Sequence, residues 1–262
     1  MHKMKDKLSI VKIGGNVIED QKALDIFLTA FSKLEGLKIV VHGGGKLATQ
    51  LATKLGIESN MINGRRMTDK DTLDIITMVY GGLVNKKIVA QLQAKNINAI
   101  GLSGADGNSI HAHKRPVKDI DYGFVGDIDG INSELLTSLL SINLTPIFCA
   151  ISHDGDGQLL NTNADTIASE IAIGMASIYE TTLYYCFEKK GVLLDITDDN
   201  SVVKKINTAK YNELLADGII ADGMLPKLHN CFHALQNDVE KVCLGDVTML
   251  DKNTELFTTL TL

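Results

Sequence analysis

Residues 8–46 read LSIVKIGGNVIEDQKALDIFLTAFSKLEGLKIVVHGGGK, and their patterning decides the fold. Residues 8–13 form an apolar run of strand length that ends in Gly14-Gly15. Residues 21–35 place Leu24, Phe27, Leu28, Phe31 and Leu34 on one side of a helix. Residues 37–42 form a second apolar run, ending in Gly43-Gly44-Gly45 ahead of a helix over about 45–55. Strands this apolar are buried on both faces, which points to parallel pairing rather than to a sheet with one wet side. The alternation continues, with strands at 99–102, 144–150, 178–187 and 239–244 and helices at 132–142, 164–176, 207–217 and 224–237. Another long helix follows Thr68, which reads as its cap with Asp71 three places on, and Leu73, Ile76, Leu83 and Ile88 share a stripe. The expectation is an α/β fold in which helices cover both faces of a central, mostly parallel open sheet, a three-layer αβα sandwich.

Two stretches interrupt this rhythm. Residues 103–129 and 151–163 are rich in Gly and Asp with short β-type runs, and they predict hairpins laid over a ligand. With three prolines among 262 residues and no linker, a soft boundary falls near residue 177, giving lobes at 1–177 and 178–262.

Composition excludes several classes. A net charge of -6 gives no basic field for a nucleic acid, and no run approaches the ~20 apolar residues of a membrane span. The basic start of the chain lacks the apolar stretch of a secretory signal, so a cytoplasmic protein is expected. Cys149, Cys186, Cys231 and Cys243 are far apart and read as buried free thiols. His229 and His233 lie four apart but have no third ligand at metal spacing, and His111 and His113 have no nearby acidic cluster in sequence. No metal site is expected.

Chemistry is concentrated at strand-to-helix junctions. In open α/β sheets ligands collect beyond the strand carboxyl ends, where glycine lets backbone N–H groups approach an anion. Lys12-Ile13-Gly14-Gly15 and His42-Gly43-Gly44-Gly45-Lys46 both stand there. Neither is Gly-x-Gly-x-x-Gly or Gly-x-x-x-x-Gly-Lys-Ser/Thr, so dinucleotide and P-loop sites are disfavoured. Lys12 could equally be a strand lysine reaching out to water. Only three arginines occur, two of them in Asn63-Gly64-Arg65-Arg66-Met67-Thr68, and a guanidinium fork matches a carboxylate bidentately. Arg66, nearer the helix, is the candidate clamp, against a solvated charge pair in a loop. Asn161-Thr162-Asn163-Ala164-Asp165 enters a helix and could serve only as its cap. In Asp222-Gly223-Met224-Leu225-Pro226-Lys227, Pro226 suits a first helical turn, which sets Lys227 at the positive end of the helix dipole unless an anion lies between. Two glycine-lined cradles, two lysines, an aspartate and an arginine fork describe phosphoryl transfer between two anions, with no protein nucleophile required.

These motifs, with Gly101-Leu102-Ser103-Gly104-x-Asp106-Gly107 and Gly123-Phe124-Val125-Gly126, resemble, in order and over residues 8 to about 245, the series of the amino acid kinase family, in its branch acting on N-acylated glutamate. The resemblance implies that ATP phosphorylates the γ-carboxylate of N-acetyl-L-glutamate, or of an N-succinyl analogue, in arginine biosynthesis. Carbamate or aspartate kinase activity, or a non-catalytic regulatory role on the same fold, are the alternatives. It further implies that Lys12 and Lys227 stabilise the transferring group and that Asp165 orients both. Gly44, Gly45, Arg66 and Asn161 would hold the acceptor, and Gly15, Phe187, Glu188, Gly191, Val192, Leu193, Ile220 and Ala221 the nucleotide. Mg2+ would be held through the ATP phosphates, 123–126 would belong to a lid, and the chain would form a homodimer. Arginine-inhibited hexamers of the family carry an extra N-terminal helix, and with only about seven residues ahead of the first strand here, insensitivity to arginine is expected. One departure stands out: Phe187-Glu188-Lys189-Lys190-Gly191-Val192 replaces the family's Ser/Thr-Asp-Val-x-Gly-Val.

Overall fold

Lys7–Ile13 pairs in parallel with Glu180–Cys186, in register from Lys7 opposite Glu180 to Ile13 opposite Cys186. Leu8, Ile10, Val11 and Ile13 are all buried, as a mostly apolar run requires of a strand covered on both faces. The structure is a computed structural model and describes residues 5–62, 65–220 and 224–262. Contacts group the chain into two compact units, Met1–Ile39 with Ala168–Leu262, and Val40–Ile167. The boundary expected near 177 assumed contiguous lobes. Pairing of Lys7–Ile13 with Glu180–Cys186 instead joins the first residues to the C-terminal ones.

In the first unit, Glu180–Cys186 pairs in parallel with Lys241–Gly245, which pairs antiparallel with Thr258–Leu260, and that strand pairs in parallel with Lys205–Ile206. The helix Gln21–Lys33 buries Leu24, Phe27, Leu28 and Phe31, and Asp20 caps it by accepting from the amides of Lys22 and Ala23 at 2.8 and 3.0 Å. Its other end is closed by a buried lysine. Lys38 Nζ donates to the carbonyls of Phe31, Ser32 and Leu34 at 2.9, 3.1 and 2.6 Å and lies 5.1 Å from the Phe31 ring centroid. Burial holds its pKa below the usual lysine value, and the three carbonyls take the place of water. Lys38→Met keeps the stem but strands these acceptors, and is expected to cost about 1–3 kcal/mol in urea unfolding.

In the second unit, the residues from Val40 to His42 pair in parallel with Ile147–Cys149, and Thr145–Cys149 with Ala99–Leu102. The two Gly- and Asp-rich stretches form hairpins as expected. Ile110–Lys114 pairs antiparallel with Gly126–Ile131, and Ile151–His153 with Leu159–Asn161, in a four-stranded sheet.

The long helix departs from its sequence reading in two ways. Thr68 does not cap it: Asp69 does, its carboxylate accepting from Thr72 N at 2.8 Å ahead of Lys70–Ile76. Thr68 is held extended, because its N–H donates to Tyr122 O at 2.9 Å and its carbonyl accepts from Phe124 N at 2.7 Å. The helix then widens to a π-helical stretch, Thr77–Val84, before returning to α over Asn85–Gln93. Each i→i+5 bond takes one extra residue into the turn, so the stripe breaks. Leu73, Ile76 and Ile88 are buried, but Leu83 is 60% exposed.

Candidate functional site

The glycine loop that follows Leu37–His42 is built around an inward-facing histidine. His42 is fully buried, with Nδ1 at 2.8 Å from Gly43 O and Nε2 at 3.1 Å from Asn85 Nδ2. Both ring nitrogens are therefore satisfied by a neutral ring that donates from Nδ1 and accepts at Nε2. Burial pushes the His42 pKa down to about 4. Asn85 Nδ2 also donates to Ile147 O at 2.8 Å. The close approach depends on Gly101, where a Cβ would stand 1.8 Å from Asn85 Oδ1.

Gly44 has φ +154°, a Cβ on it would sit 2.9 Å from Tyr80 Cδ1, and it precedes the helix Gly45–Lys54. The loop thus presents glycines and a helix N-terminus together, a setting in which amide groups favour an anion. Arg66 is anchored on the same turn: its Nη2 donates to Gly45 O at 2.9 Å and to Thr49 Oγ1 at 2.8 Å. Gly44→Ala forces a side chain onto the Tyr80 ring, and is expected to lower stability by at least about 1 kcal/mol, seen as a lower urea midpoint with unchanged slope.

Asn161 is brought beside this group through Thr68. Its Nδ2 donates to Thr68 Oγ1 at 2.9 Å, and its N–H donates to Phe124 O at 2.9 Å, the same residue whose N–H reaches Thr68 O. Residues 122–125 therefore run between Thr68 and Asn161, turning at Gly123 (φ +73°), with bridges Thr68 to Gly123 and Val125 to Asn161. Two residues on, Asn163 Oδ1 accepts from the amides of Asp165 and Thr166 at 2.7 and 3.2 Å, capping Ala164–Ala176. Asp165 stands in the first turn of that helix, and Ala164 Cβ lies 4.0 Å from where a Cβ on Gly43 would be.

In the other unit the two candidate lysines meet the same strand end. Lys12 is in register with Tyr185, and its charge acts on the buried Cys186 thiol. Lys227, in the first turn of Leu225–Gln236, has Nζ 4.9 Å from the Tyr185 ring centroid and 5.9 Å from that of Phe187. Gly14 N donates to Cys186 O at 2.9 Å, and Gly15 opens a short helix, Gly15–Glu19, with open space where a Cβ would be. The carboxyl end of Glu180–Cys186 is thus bordered by two ammonium groups and a glycine turn.

The remaining candidates divide by exposure. Phe187 is half-buried and Glu188 exposed, whereas Val192, Leu193 and Ile220 are buried at 4%, 9% and 5% exposure. Gly191 is packed so tightly that a Cβ would sit 2.6 Å from Thr258 Oγ1, and Val192 N donates to that same hydroxyl at 2.8 Å. Ala221, with Asn63, Gly64, Asp222 and Gly223, lies outside the described residues.

Sequence reading missed the partners. Tyr80 and Thr49, which border Arg66, stand in no motif, and Thr68 has the sequence signature of a cap rather than of a partner for Asn161. His111 and His113 share one acidic neighbour, Asp129, which the sequence did not mark. His113 Nδ1 lies 2.6 Å and His111 Nδ1 3.5 Å from Asp129, which a register shift in the hairpin turns toward them. Arg115 pairs with Asp127 through Nε at 3.1 Å and Nη2 at 2.5 Å, and each holds the other's charged form. The four cysteines are buried and form no disulfide, and burial pushes the Cys149 thiol up to about 12.

Residues 7–246 match the model of the amino acid kinase family. An acetylglutamate kinase of Phocaeicola vulgatus is 55% identical, over 92% of this chain and 94% of its own length. An acetylglutamate kinase of Bacteroides fragilis is 52% identical, over 92% and 93%. A solved structure from Streptococcus mutans UA159 superposes with TM-score 0.77 at 25% identity, covering 97% of this chain and 98% of that one.

Proposed function

The chain belongs to the amino acid kinase family, and from that premise we propose which of its residues carry the transfer. It is a phosphotransferase, with ATP as donor and the γ-carboxylate of N-acetylglutamate as acceptor, a reaction of arginine biosynthesis. The acceptor carboxylate, with an ordinary pKa of about 4.3, is ionised at neutral pH, so no general base is required. A carboxylate oxygen bonds to the γ-phosphorus as the bond from that phosphorus to the ADP oxygen breaks. The barrier is repulsion among crowded oxygens, which positioned ammonium and N–H groups offset.

Lys12 and Lys227 stabilise the transferring phosphoryl group, and Asp165 orients both. The observation that carries this reading is that both lysines abut Tyr185–Phe187 at one strand end. Gly44 and Gly45 supply N–H groups to the acceptor, and Arg66 and Asn161 grip its α-carboxylate and amide end. Gly15, Phe187, Glu188, Gly191, Val192, Leu193, Ile220 and Ala221 border the nucleotide, which enters as its Mg2+ complex, the cation riding on the phosphates. The unit Val40–Ile167 serves the acceptor, and the unit of Met1–Ile39 with Ala168–Leu262 the nucleotide. The protein works as a cytoplasmic homodimer. No helix among the described residues is long and apolar enough to cross a membrane.

One observation bears on the acyl group: Arg65, beside the clamp, lines a cavity of about 530 Å³ with Arg115, Lys118 and Tyr122. A longer acyl chain ending in a carboxylate, as in N-succinylglutamate, would meet Arg65 and Lys118 there, although Asp119 and Asp127 line the same cavity and Arg115 is committed to Asp127. The test is ADP release with N-acetylglutamate, N-succinylglutamate, aspartate and carbamate in parallel. Turnover of N-acetylglutamate or its succinyl analogue well above the other two is expected. Preference for aspartate or carbamate would sink the assignment.

A further inference from the structure

We propose that Tyr80 is a positioning residue of the acceptor site, its phenol holding the Arg66 guanidinium in the plane in which it meets the acceptor's α-carboxylate. This rests on the assignment of Arg66 made above. A guanidinium presents five N–H groups in one rigid fork, and bidentate capture of a carboxylate demands that the fork be fixed in plane as well as in place. Gly45 O and Thr49 Oγ1 fix one nitrogen, Nη2, at 2.9 and 2.8 Å. Two bonds to one nitrogen locate it but leave the fork able to tilt about it. The Tyr80 hydroxyl, which faces the same point at Gly45 as Arg66 Nη2 and feels the guanidinium charge, supplies a further point.

Tyr80 is suited to that task because it is itself immobilised. It is buried at 6% exposure, and its ring covers Gly44 so closely that a Cβ there would lie 2.9 Å from Cδ1 and 3.1 Å from Cε1. Its hydroxyl reaches the next glycine, 3.6 Å from where a Cβ on Gly45 would be, and Arg66 Nη2 stands 3.8 Å from that same point. The direction of the side chain is set by the π-helical stretch Thr77–Val84, in which Tyr80 sits midway. Such stretches strain a helix and persist where they aim a side chain. A buried phenol needs a partner for its hydroxyl. Burial also pushes its pKa up, so it faces the guanidinium as a neutral acceptor throughout the working range.

A ring that merely filled space would be replaced without loss by Phe, and this separates the two roles. Tyr80→Phe, Arg66→Ala and the double variant are compared by KM for N-acetylglutamate, KM for ATP, kcat and thermal midpoint. Tyr80→Phe is expected to raise the acceptor KM by about tenfold, since hydrogen bonds to charged groups are among the stronger ones, while the ATP KM stays within about twofold. In the Arg66→Ala background the same change is expected to do nothing more. An unchanged acceptor KM in Tyr80→Phe, beside a large rise in Arg66→Ala, overturns the role of Tyr80 and leaves the clamp standing. A Tyr80→Phe effect that persists without Arg66, or that falls equally on both KM values with a lowered midpoint, also overturns it. If Arg66→Ala itself leaves the acceptor KM unchanged, the clamp fails, and the positioning role with it.

Discussion

Lys12→Ala and Lys227→Ala are each expected to lower kcat with N-acetylglutamate by about 10²–10³, with far smaller changes in the KM for acceptor. The γ-phosphoryl oxygens are charged already in ATP, but their crowding with the incoming carboxylate and the charge on the departing oxygen develop only as the group moves, so an ammonium placed for that moment acts mainly on kcat. Lys227 needs a second substitution to be read cleanly. Its Nζ stands over Tyr185 and Phe187, so the stem also covers aromatic surface, and truncation to Ala removes packing along with charge. Lys227→Met keeps most of the stem. Equal loss in Lys227→Met and Lys227→Ala assigns the effect to the ammonium group. Near-normal turnover of Lys227→Met, in a protein with unaltered thermal midpoint, would remove the second cation from the mechanism.

Stability is expected to fall by about 3 kcal/mol between pH 6.5 and pH 4 on account of one side chain. The folded protein holds His42 neutral with a pKa of about 4, displaced from 6.5 by burial. Between those values the unfolded chain takes up a proton that the folded one does not, so stability declines as pH falls through that window and is insensitive to His42 above it. The value of about 3 kcal/mol is that displacement at 1.36 kcal/mol per pH unit. Carboxylates such as Asp69 and Asp127, whose pKa values are lowered by their hydrogen bonds, lose stability in the same direction. The measurement is therefore a difference: urea unfolding of the protein and of His42→Asn at pH 7, 6, 5 and 4. The variant starts lower at pH 7, and the gap should close as the pH falls. Parallel curves would show that His42 does not titrate separately in the two states.

How far the sequence alone carried the fold depends on the range of the interaction. Helices and strands are readable because their signal is local: the stripe of Leu24, Phe27, Leu28 and Phe31, and the apolar run ending at Ile13, lie within a few residues of one another. The glycine loops and the lysines were legible for the same reason, each occurring in a short run with its own punctuation. What was not legible depends on pairs distant in sequence. Thr68 looked like a cap because Asp71 follows it, yet Tyr122 and Phe124 claim its backbone from more than fifty residues away. Asp129 gave no sign of facing His113 until the hairpin register brought it there. The π-helical stretch hides differently. Gly81 and Gly82 mark Thr77–Val84 as a weak helical stretch, but only the exposure of Leu83 on a stripe that should be buried betrays the extra residue.

That widened stretch has a dynamic consequence. Its hydrogen bonds are spaced less favourably than those of Lys70–Ile76 before it and Asn85–Gln93 after it, and Gly81 and Gly82 inside it resist unwinding least. In deuterated solvent its amides should exchange ahead of both flanks, through brief openings that leave the rest of the molecule folded. Because Tyr80 rides on those amides, occupancy of the acceptor site should be visible as slowed exchange in a segment with no motif of its own.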